Sequence, residues 1–426
     1  MGFVVKGKED YVYELDKAMY GLKQAPRAFS KHIATSFRDL NFVQASSDEC
    51  LWMFWSGASY VYALYHVDDV LMVTNDVVLR AKMYDELKKT LDIRDEGKAD
   101  VFLGLKFVYG DDGTIELSQT HYIEKMAERF GVTASTKCEW TPGTPDIVLT
   151  HADLPVNADD AIAAAKLRFP ALVGSLIYAV KTRPDVAFAV SDVARFMSKW
   201  GVAHYERAMN VLRYLYRTRA QNLKFKRRPG PLSMMAFCDA NYGDVRETSV
   251  VNSDKWRSQG GYLIYISGNL VAWSSKRHKC VTLSTMEAEY VEATSCGKEV
   301  IWFRRLLAEL GHPQLSPTVI MEDNKAAISF SLNQTCHERS KHIDIRAHWL
   351  RQMVFDESVV LHHCATDVQV ADLMTKHLRR PQFEVYRDNM LDGIDPEQWR
   401  CKSVCSVLLT SCEPLSRICI DGVECF

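Results

Sequence analysis

The region after Pro231 alternates strand and helix patterns in an order that few architectures accommodate. Three short runs rich in β-branched and aromatic residues precede a long helical pattern, after which strands and helices alternate. Three strands, helix, strand, helix, strand, helix is the order of an α/β domain with a mixed sheet. The predicted strands are 232–238, 261–266, 270–275, 318–322 and 358–364, and the predicted helices are 284–310, 324–332 and 370–377.

Four acidic residues stand where these elements begin or end. Asp239 follows the first strand, Glu289 lies one turn into the long helix, and Asp323 ends the fourth strand. Asp372 opens the last helix. Strand ends and helix starts meet at one side of an α/β sheet, so we expect these carboxylates to share a cleft. Clustered carboxylates need a neutralising cation, and hard oxygen ligands suit two Mg²⁺ or Mn²⁺ ions that hydrolyse a phosphodiester.

Each of these acids also has a structural interpretation. An Asp at a strand end is usually a turn or cap residue, and Asp372 alone would pass as a helix N-cap. Glu287 and Glu289 lie in one helical turn, where acidic pairs are usually solvated. The ordered set of four, on the expected elements, favours the metal site.

Six stretches around the four acids form a pattern. They are F-C-D-A-N-Y at 237–242, A-W-S-S-K at 272–276, L-S-T-M-E-A-E-Y at 283–290, E-D-N-K-A-A-I at 322–328, R-S-K-H-I-D-I-R-A-H at 339–348 and V-Q-V-A-D-L-M-T-K at 368–376. In this order they closely resemble the RNase H domain of Ty1/copia-type retrotransposons. The resemblance implies that the four acids bind two Mg²⁺ or Mn²⁺ ions and that the domain hydrolyses RNA in RNA–DNA hybrids, with Glu289 matching the family position rather than Glu287.

Two departures from the family pattern lie near Asp239. Tyr242 meets Gly243 directly, where the family has a small residue between them, and residues 245–253 look longer than the usual loop. These departures favour an alternative, in which a decayed or co-opted remnant holds nucleic acid without cutting it, whereas the intact acidic set opposes it. His342 and His348 are interpreted as surface or capping residues of a predicted helix.

Residues 60–74 predict a β-hairpin whose turn carries Asp68 and Asp69. V-D-D alone is a weak signal, because Asp is a favoured turn residue. Further motifs stand around it: Y-G-L-K-Q-A-P-R-A-F at 20–29, F-L-G at 102–104, S-Q-T-H-Y-I-E-K-M at 118–126, V-G-S-L-I-Y at 173–178, T-R-P-D at 182–185, R-F-M-S at 195–198 and V-L-R-Y-L at 211–215. They resemble the reverse-transcriptase palm, thumb and connection of the same polyprotein.

This second resemblance implies roles in nucleotide and primer binding. Residues 21–26, with Gly21, Gln24 and Pro26, would help to seat the incoming nucleotide and the template. Phe102 and Gly104 would belong to the loop that grips the primer end.

Asp68 and Asp69 would be metal-binding acids of the polymerase site, but polymerisation needs three such acids. In the family the first acid lies on a strand well upstream of Y-G-L-K, and Asp10 and Asp16 do not stand in its motif. His66 also replaces the Tyr that the family prefers before V-D-D. We therefore expect that the chain does not polymerise DNA alone, and that a full-length element-encoded polymerase is the partner that would complete it in trans.

These patterns predict an α/β and α+β multidomain protein with four segments. They are a truncated reverse-transcriptase palm and thumb at 1–140, a linker and helical connection at 141–231, an RNase H domain with a mixed sheet flanked by helices at 232–388, and a Cys-rich tail at 389–426. The five tail cysteines match no metal pattern, and we interpret the tail as read-through from adjacent genomic sequence.

The formal net charge is −2, so no global field draws the chain to nucleic acid. Contact with RNA or a hybrid must come from local patches, and the densest run is Lys224 with Lys226, Arg227 and Arg228. Residues 276–279 are a second candidate; the alternative for both is a solvated basic loop. We expect an intracellular protein, cytoplasmic or nuclear, with no membrane segment, because neither a secretory signal nor a long uncharged apolar run is present.

Overall fold

A computed structural model describes residues 21–145, 149–243, 256–332 and 344–396, together with Gly7, Leu15 and Met19. The chain divides into two compact units. The first runs to Phe102 and includes 309–311, and the second holds 103–308 and the residues from His312 onward. Both contain helices and strands, which confirms the mixed α/β and α+β multidomain class.

The first unit is an antiparallel sheet, in the order β1-β2-β3-β4, with helices packed against it. Its elements are α1 (Ala25–Asp39), β1 (Val43–Gln44), β2 (Leu51–Ser56), β3 (Ser59–His66), β4 (Asp69–Thr74), α2 (Val77–Leu87) and, at its end, β5 (Val101–Phe102). The predicted hairpin is confirmed, and alternate residues of β3 are buried because one face of the strand meets the core. The Asp76 carboxylate accepts hydrogen bonds from the amides of Val78 and Leu79, each 3.0 Å long, and so caps α2.

The second unit begins with a small sheet and a helical layer. Its elements are β6 (Leu105–Tyr109), β7 (Ile115–Ser118), α3 (Thr120–Arg129), α4 (Ala158–Lys166), α5 (Phe169–Ala179), α6 (Ala187–Ala194), α7 (Val202–Arg217) and β8 (Leu223–Phe225). Residues 158–179 of the predicted helical connection form two helices, α4 and α5, rather than one. Pro170 explains the break: it suits the first turn of α5, where an amide donor is not needed, but it would interrupt a continuous helix. β8 was not predicted, and it pairs antiparallel with β7.

The second unit continues into a five-stranded mixed sheet in the order β11-β10-β9-β12-β13. Its elements are β9 (Met234–Asn241), β10 (Gln259–Ile266), β11 (Asn269–Arg277), α8 (Thr285–Glu309), β12 (Thr318–Glu322), α9 (Lys325–Leu332), α10 (Asp344–Phe355), β13 (Val359–His363) and α11 (Arg380–Leu391). β9, β10 and β11 are antiparallel neighbours, whereas β12 runs parallel to β9 and β13. The predicted mixed sheet is therefore confirmed.

Two sequence predictions about this sheet are wrong in detail. Asp239 lies inside β9 rather than after it, because the strand continues to Asn241. The helix predicted at 370–377 is a short 3₁₀ helix, Val370–Met374, and α11 follows it. α11 runs past Asp388 to Leu391, and Ile394 is buried in the same core, so the chain still packs beyond residue 388.

Among the residues that the structure describes, no single helix is long and apolar enough to cross a membrane. One pair, α4 with α5, reaches that length and composition only across a bend of 46°.

A buried ion pair holds the helical layer together. Arg183 and Asp185, from the T-R-P-D motif, are 1% and 2% exposed. The guanidinium donates to both carboxylate oxygens of Asp185, at 2.9 and 2.7 Å, and to the carbonyl of Thr218 at 3.0 Å. The hydroxyl of Tyr214 donates to Asp185 at 2.6 Å. Because all these charges are paired, the motif ties α7 to the turn before α6.

We predict that Arg183→Met lowers the free energy of unfolding of this unit by about 3–5 kcal/mol, because it leaves the Asp185 carboxylate buried without its counter-ion. The matched control is Arg219→Met, which removes an ion pair to Glu124 whose side chains are 39% and 47% exposed. An exposed pair of this kind contributes about 1 kcal/mol or less. Urea denaturation of both variants makes the comparison, and equal losses would contradict a structural role for the buried pair.

Candidate metal centre

Asp239 lies near the end of β9, the central strand of the mixed sheet, and is 5% exposed. Its partner across the sheet is Gly261 of β10. A Cβ atom on Gly261 would collide with Met374, so glycine is needed for the 3₁₀ helix Val370–Met374 to pack this closely on β10. That close approach brings Asp372, in the same 3₁₀ helix, to the end of the strand that carries Asp239.

Glu289 and Asp323 approach Asp239 from two other elements. Glu289 lies one turn into α8 and is 4% exposed, and half-buried Asp323 directly follows β12. Asp239, Glu289 and Asp323 each offer one carboxylate oxygen, and these three oxygens lie within 4.8 Å of one another. The structure therefore brings together three of the four acids that the sequence singled out, in an arrangement able to hold a metal ion.

Asp372, the fourth acid, is beside this group and already paired. It is 2% exposed, and its Oδ1 lies 2.7 Å from Nζ of Lys376. Gln369 fixes the start of its 3₁₀ helix: Nε2 donates to the carbonyl of Cys238 in β9 at 2.9 Å, and Oε1 accepts from the amide of Ala371 at 3.3 Å. Asp372 is thus held against β9 by a buried hydrogen-bond bridge.

Burial and mutual repulsion raise the pKa values of Glu289, Asp372 and Asp239. Burial, followed by the charges of Glu322, Asp239 and Asp323, raises the pKa of Glu289 to about 11. Burial and the Asp239 charge raise the pKa of Asp372 to about 7, and burial also raises the pKa of Asp239. These groups would ionise together only if positive charge arrived.

A fifth acid, Glu322, lies directly behind the group and is fully buried. The amide of Asn324 donates to its Oε1 at 3.0 Å, and the thiol of Cys238 donates to its Oε2 at 3.3 Å. Burial raises the pKa of Glu322 to about 8. Since both of its oxygens are engaged by protein groups, Glu322 does not offer a free ligand atom to the site.

Three polar residues that sequence reasoning missed orient the acids. The Thr375 hydroxyl donates a short hydrogen bond to Oδ2 of Asp239, and Lys376 pairs with Asp372. The Thr366 hydroxyl donates to Oδ2 of Asp323 at 3.0 Å. Thr375 and Lys376 close the V-Q-V-A-D-L-M-T-K stretch, so their place three and four residues after Asp372 was the available signal.

Glu287 and Glu289 have different environments although both are buried. The Glu287 carboxylate accepts from the amide of Leu283 at 2.6 Å and so caps the start of α8. Oε2 of Glu289 is buried and has no hydrogen-bond partner among the described residues. A solvated acidic pair, the alternative weighed from the sequence, is therefore not what forms.

The donor set fits a hard divalent cation. All the convergent atoms are carboxylate oxygens, the ligands that Mg²⁺ and Mn²⁺ prefer. A buried carboxylate oxygen without a partner, as on Glu289, is costly unless something satisfies it. Among the described residues, no His or Cys side chain, the ligands that would favour zinc, belongs to this group.

The turn acids of the first unit are exposed. Val67 and Asp68 form the tight turn between β3 and β4, Asp69 opens β4, and His66 faces Asp69 across the hairpin. Val67 has a φ of 53°, which is costly for a β-branched residue. Within the described ranges, Asp68 and Asp69 do not join a third metal-binding side chain.

The residues predicted to contact nucleotide and primer lie near the start of α1 and near β5. Gly21, with a φ of 95°, leads into α1, where Gln24 is the N-cap residue and Pro26 sits in the first turn. Phe102 ends β5, and Gly104 has a φ of 74° in the turn before β6. Their roles in binding stay predictions.

The basic run at 224–228 is partly structural. Nζ of Lys224 lies 2.7 Å from the Asp392 carboxylate, and Arg228 donates to the carbonyl of Ile394 at 2.6 Å. Lys226 and Arg227 are exposed. These last two side chains are the exposed candidates of this run for a phosphate contact.

The second basic candidate contains a buried histidine. His278 is 6% exposed, and its Nε2 lies 3.0 Å from Oε2 of Glu292. His348 lies on α10 and is exposed, whereas His342, the 245–253 loop and the five tail cysteines fall outside the described residues. The six cysteines that the structure describes are free thiols.

Comparison with known proteins places the chain in a family. Residues 1–144 match the family described as reverse transcriptase (RNA-dependent DNA polymerase). Among solved structures, the chain is similar to LC11-RNase H1, from compost, in complex with an RNA/DNA hybrid, at 10% identity and a TM-score of 0.25. That match covers 38% of this chain and 97% of the other.

The curated relatives are transposon proteins. The chain is 38% identical, over 91% of its length, to the retrovirus-related Pol polyprotein from transposon TNT 1-94 of Nicotiana tabacum, and 33% identical, over 90%, to that from transposon RE1 of Arabidopsis thaliana. It spans 28% and 25% of those two polyproteins. It is also 32% identical to the putative transposon Ty5-1 protein of Saccharomyces cerevisiae, over 70% of this chain and 93% of that protein. The chain therefore belongs to the family of copia-type retrotransposon Pol polyproteins.

Proposed function

We propose that the second unit is a divalent-metal-dependent ribonuclease that hydrolyses the RNA strand of RNA–DNA hybrids. The observation that carries the proposal is the convergence of Asp239, Glu289 and Asp323 at the end of the central strand, with Asp372 beside them. The mutual repulsion of carboxylates this close together opposes folding, so their arrangement does not serve stability. A reaction that needs a bound cation would explain why these carboxylates lie close together.

In this proposal Asp239, Glu289 and Asp323 hold the cation, and Asp372 contributes once its ion pair opens. The chemistry that Mg²⁺ or Mn²⁺ supplies at such sites is activation of water and stabilisation of the leaving oxygen of a phosphodiester. Thr375 fixes the orientation of Asp239, and Gln369 fixes the 3₁₀ helix of Asp372. The protein thus orients its ligands before substrate arrives.

The substrate class follows from the rest of the chain. Residues 1–144 match a family of RNA-dependent DNA polymerases, whose product on an RNA template is an RNA–DNA hybrid. A nuclease joined to that module meets this hybrid as its nearest substrate, and the 2′-hydroxyls and shape of the hybrid would distinguish it from duplex DNA. Lys226 and Arg227, both exposed, are our candidates for contacts with its phosphates.

A second candidate function is binding of nucleic acid without cleavage. The direct succession of Tyr242 and Gly243, close in sequence to Asp239, favours it, because the loop that follows differs from the family pattern. This alternative shares the fold and the basic residues of the first proposal. It differs in one expected outcome: the folded protein binds the hybrid but does not cut its RNA strand.

We predict that the purified chain cuts end-labelled RNA in an RNA–DNA hybrid when Mg²⁺ or Mn²⁺ is present. Glu289→Gln should lower the cleavage rate by about 100-fold or more, because loss of a metal-binding carboxylate removes several kcal/mol of charge stabilisation. Glu287→Gln is the matched control. It makes the same change two residues away, at a helix cap, and an amide oxygen can still accept from Leu283.

Cutting by the wild type and by Glu287→Gln, but not by Glu289→Gln, would support the hydrolase. Equal rates for the two variants would contradict the assignment of Glu289. Hybrid binding without any cutting by the folded wild type would favour the non-cleaving alternative.

We further propose that the turn acids do not support DNA synthesis by this polypeptide on its own. Polymerisation requires three carboxylates around two ions, and two residues, Asp68 and Asp69, stand in the family pattern. We predict no primer extension on an RNA template by the purified chain, with or without Mn²⁺. Template-dependent extension that is lost in Asp68→Asn would contradict this.

A further inference from the structure

Among the residues that the structure describes, Lys376 is the cationic side chain that forms an ion pair with an acid of the site. Its Nζ lies 2.7 Å from Oδ1 of Asp372, four residues earlier in the chain. The two side chains differ in exposure: Asp372 is 2% exposed, whereas 40% of the Lys376 side chain reaches solvent. The carboxylate is therefore held inside the protein, and the lysine side chain is the partner that reaches solvent.

The ammonium pairs with the one acid of the four that is not in the group of three. Asp239, Glu289 and Asp323 converge on one point, and Asp372 does not belong to that group of three although it lies next to it. Nζ of Lys376 takes one oxygen of Asp372. The preceding residue, Thr375, holds Asp239 through its hydroxyl. Two adjacent residues thus engage the two aspartates that flank the site.

We propose that Lys376 is an internal counter-ion of the acidic site, and that it competes with the second divalent cation for Asp372. This inference rests on the proposed function, in which the acids hold divalent ions. An ammonium on a flexible four-carbon stem neutralises a carboxylate without rigid geometry and is exchangeable. Lys376 is therefore a positioning residue: it restrains Asp372 until a divalent ion, with twice the charge, displaces it towards solvent.

The alternative for Lys376 and Asp372 is an ordinary ion pair between residues four positions apart on a helix surface. Such pairs form between exposed side chains and contribute little. The pair here differs, because one partner is almost completely buried and belongs to a cluster of acids. Its removal changes the charge inside the site, and this difference is measurable with the metal alone.

The test is a Mn²⁺ titration of the full chain, in which the unbound ion is counted by electron paramagnetic resonance. The variants are Lys376→Gln and Lys376→Arg, and the control is Lys199→Gln, which removes an exposed lysine after α6. Lys376→Gln should tighten the weaker Mn²⁺ site by about tenfold, because one competing charge at the distance of an ion pair is removed. Lys376→Arg and Lys199→Gln should bind Mn²⁺ as the wild type does.

Unchanged or weaker Mn²⁺ binding in Lys376→Gln would overturn the inference. Lys376→Met, which keeps the apolar stem, replaces that variant if it does not fold. A second arm uses Asp372→Asn, in which adding Lys376→Gln should no longer tighten binding, because the contested carboxylate is gone. Tightening that persists in this background would also overturn the inference.

The experiments distinguish failure of the ribonuclease proposal from failure of the counter-ion proposal. Hybrid cleavage by the wild type is measured separately. If the wild type binds Mn²⁺ and cuts no hybrid, while Lys376→Gln still tightens the weaker site, the ribonuclease proposal fails and the counter-ion stands. If the wild type cuts the hybrid and the variants bind Mn²⁺ alike, the counter-ion fails and the ribonuclease stands.

Discussion

Buried carboxylates at one end of the mixed sheet repel one another, and the surrounding structure is organised to contain that repulsion. Asp239, Glu289 and Glu322 are each at most 5% exposed, where water screens their charges poorly. Hydrogen bonds from Thr375 and the amide of Asn324, and the ammonium of Lys376, offset only part of the cost. The pKa values of these acids are raised because the rest of the repulsion is not offset, and bound protons or a divalent cation must neutralise it.

The strand order and the packing of the backbone bring the acids to one end of the sheet. β9 lies at the centre of the sheet and β12 runs parallel to it, so Asp239 and Asp323 lie at the same end of the two strands. Gly261 permits the close packing of the 3₁₀ helix that carries Asp372. The helical layer of the same unit depends in turn on the buried Arg183–Asp185 pair, which ties α7 to the turn before α6.

The sequence predicts the strands and their acids well, because period and chain order determine them locally. β12 was predicted with its observed bounds, and Glu289 was rightly expected one turn into α8. The 3₁₀ helix at Val370–Met374 was mistaken for a longer helix, since its packing against Gly261 is a tertiary contact. Lys224 and Arg228 contact partners that are distant in sequence, so the sequence predicted both as part of a basic patch. The ion pair of Lys376 depends on how the chain folds around Asp372 and was not predicted.

The most direct test of the account is thermal unfolding with and without Mg²⁺ at pH 5 and pH 8. The folded protein holds protons on Asp372 up to a pKa of about 7 and on Glu322 up to about 8, against 3.8 and 4.5 in the unfolded chain. This contribution to stability is therefore complete below about pH 4 and is lost as the pH rises to about 8. We predict that Mg²⁺ raises the midpoint more at pH 8 than at pH 5, and that Asp239→Asn loses most of the pH 8 increase. Equal increases at both pH values, or a full increase in Asp239→Asn, would contradict a cation site at these carboxylates.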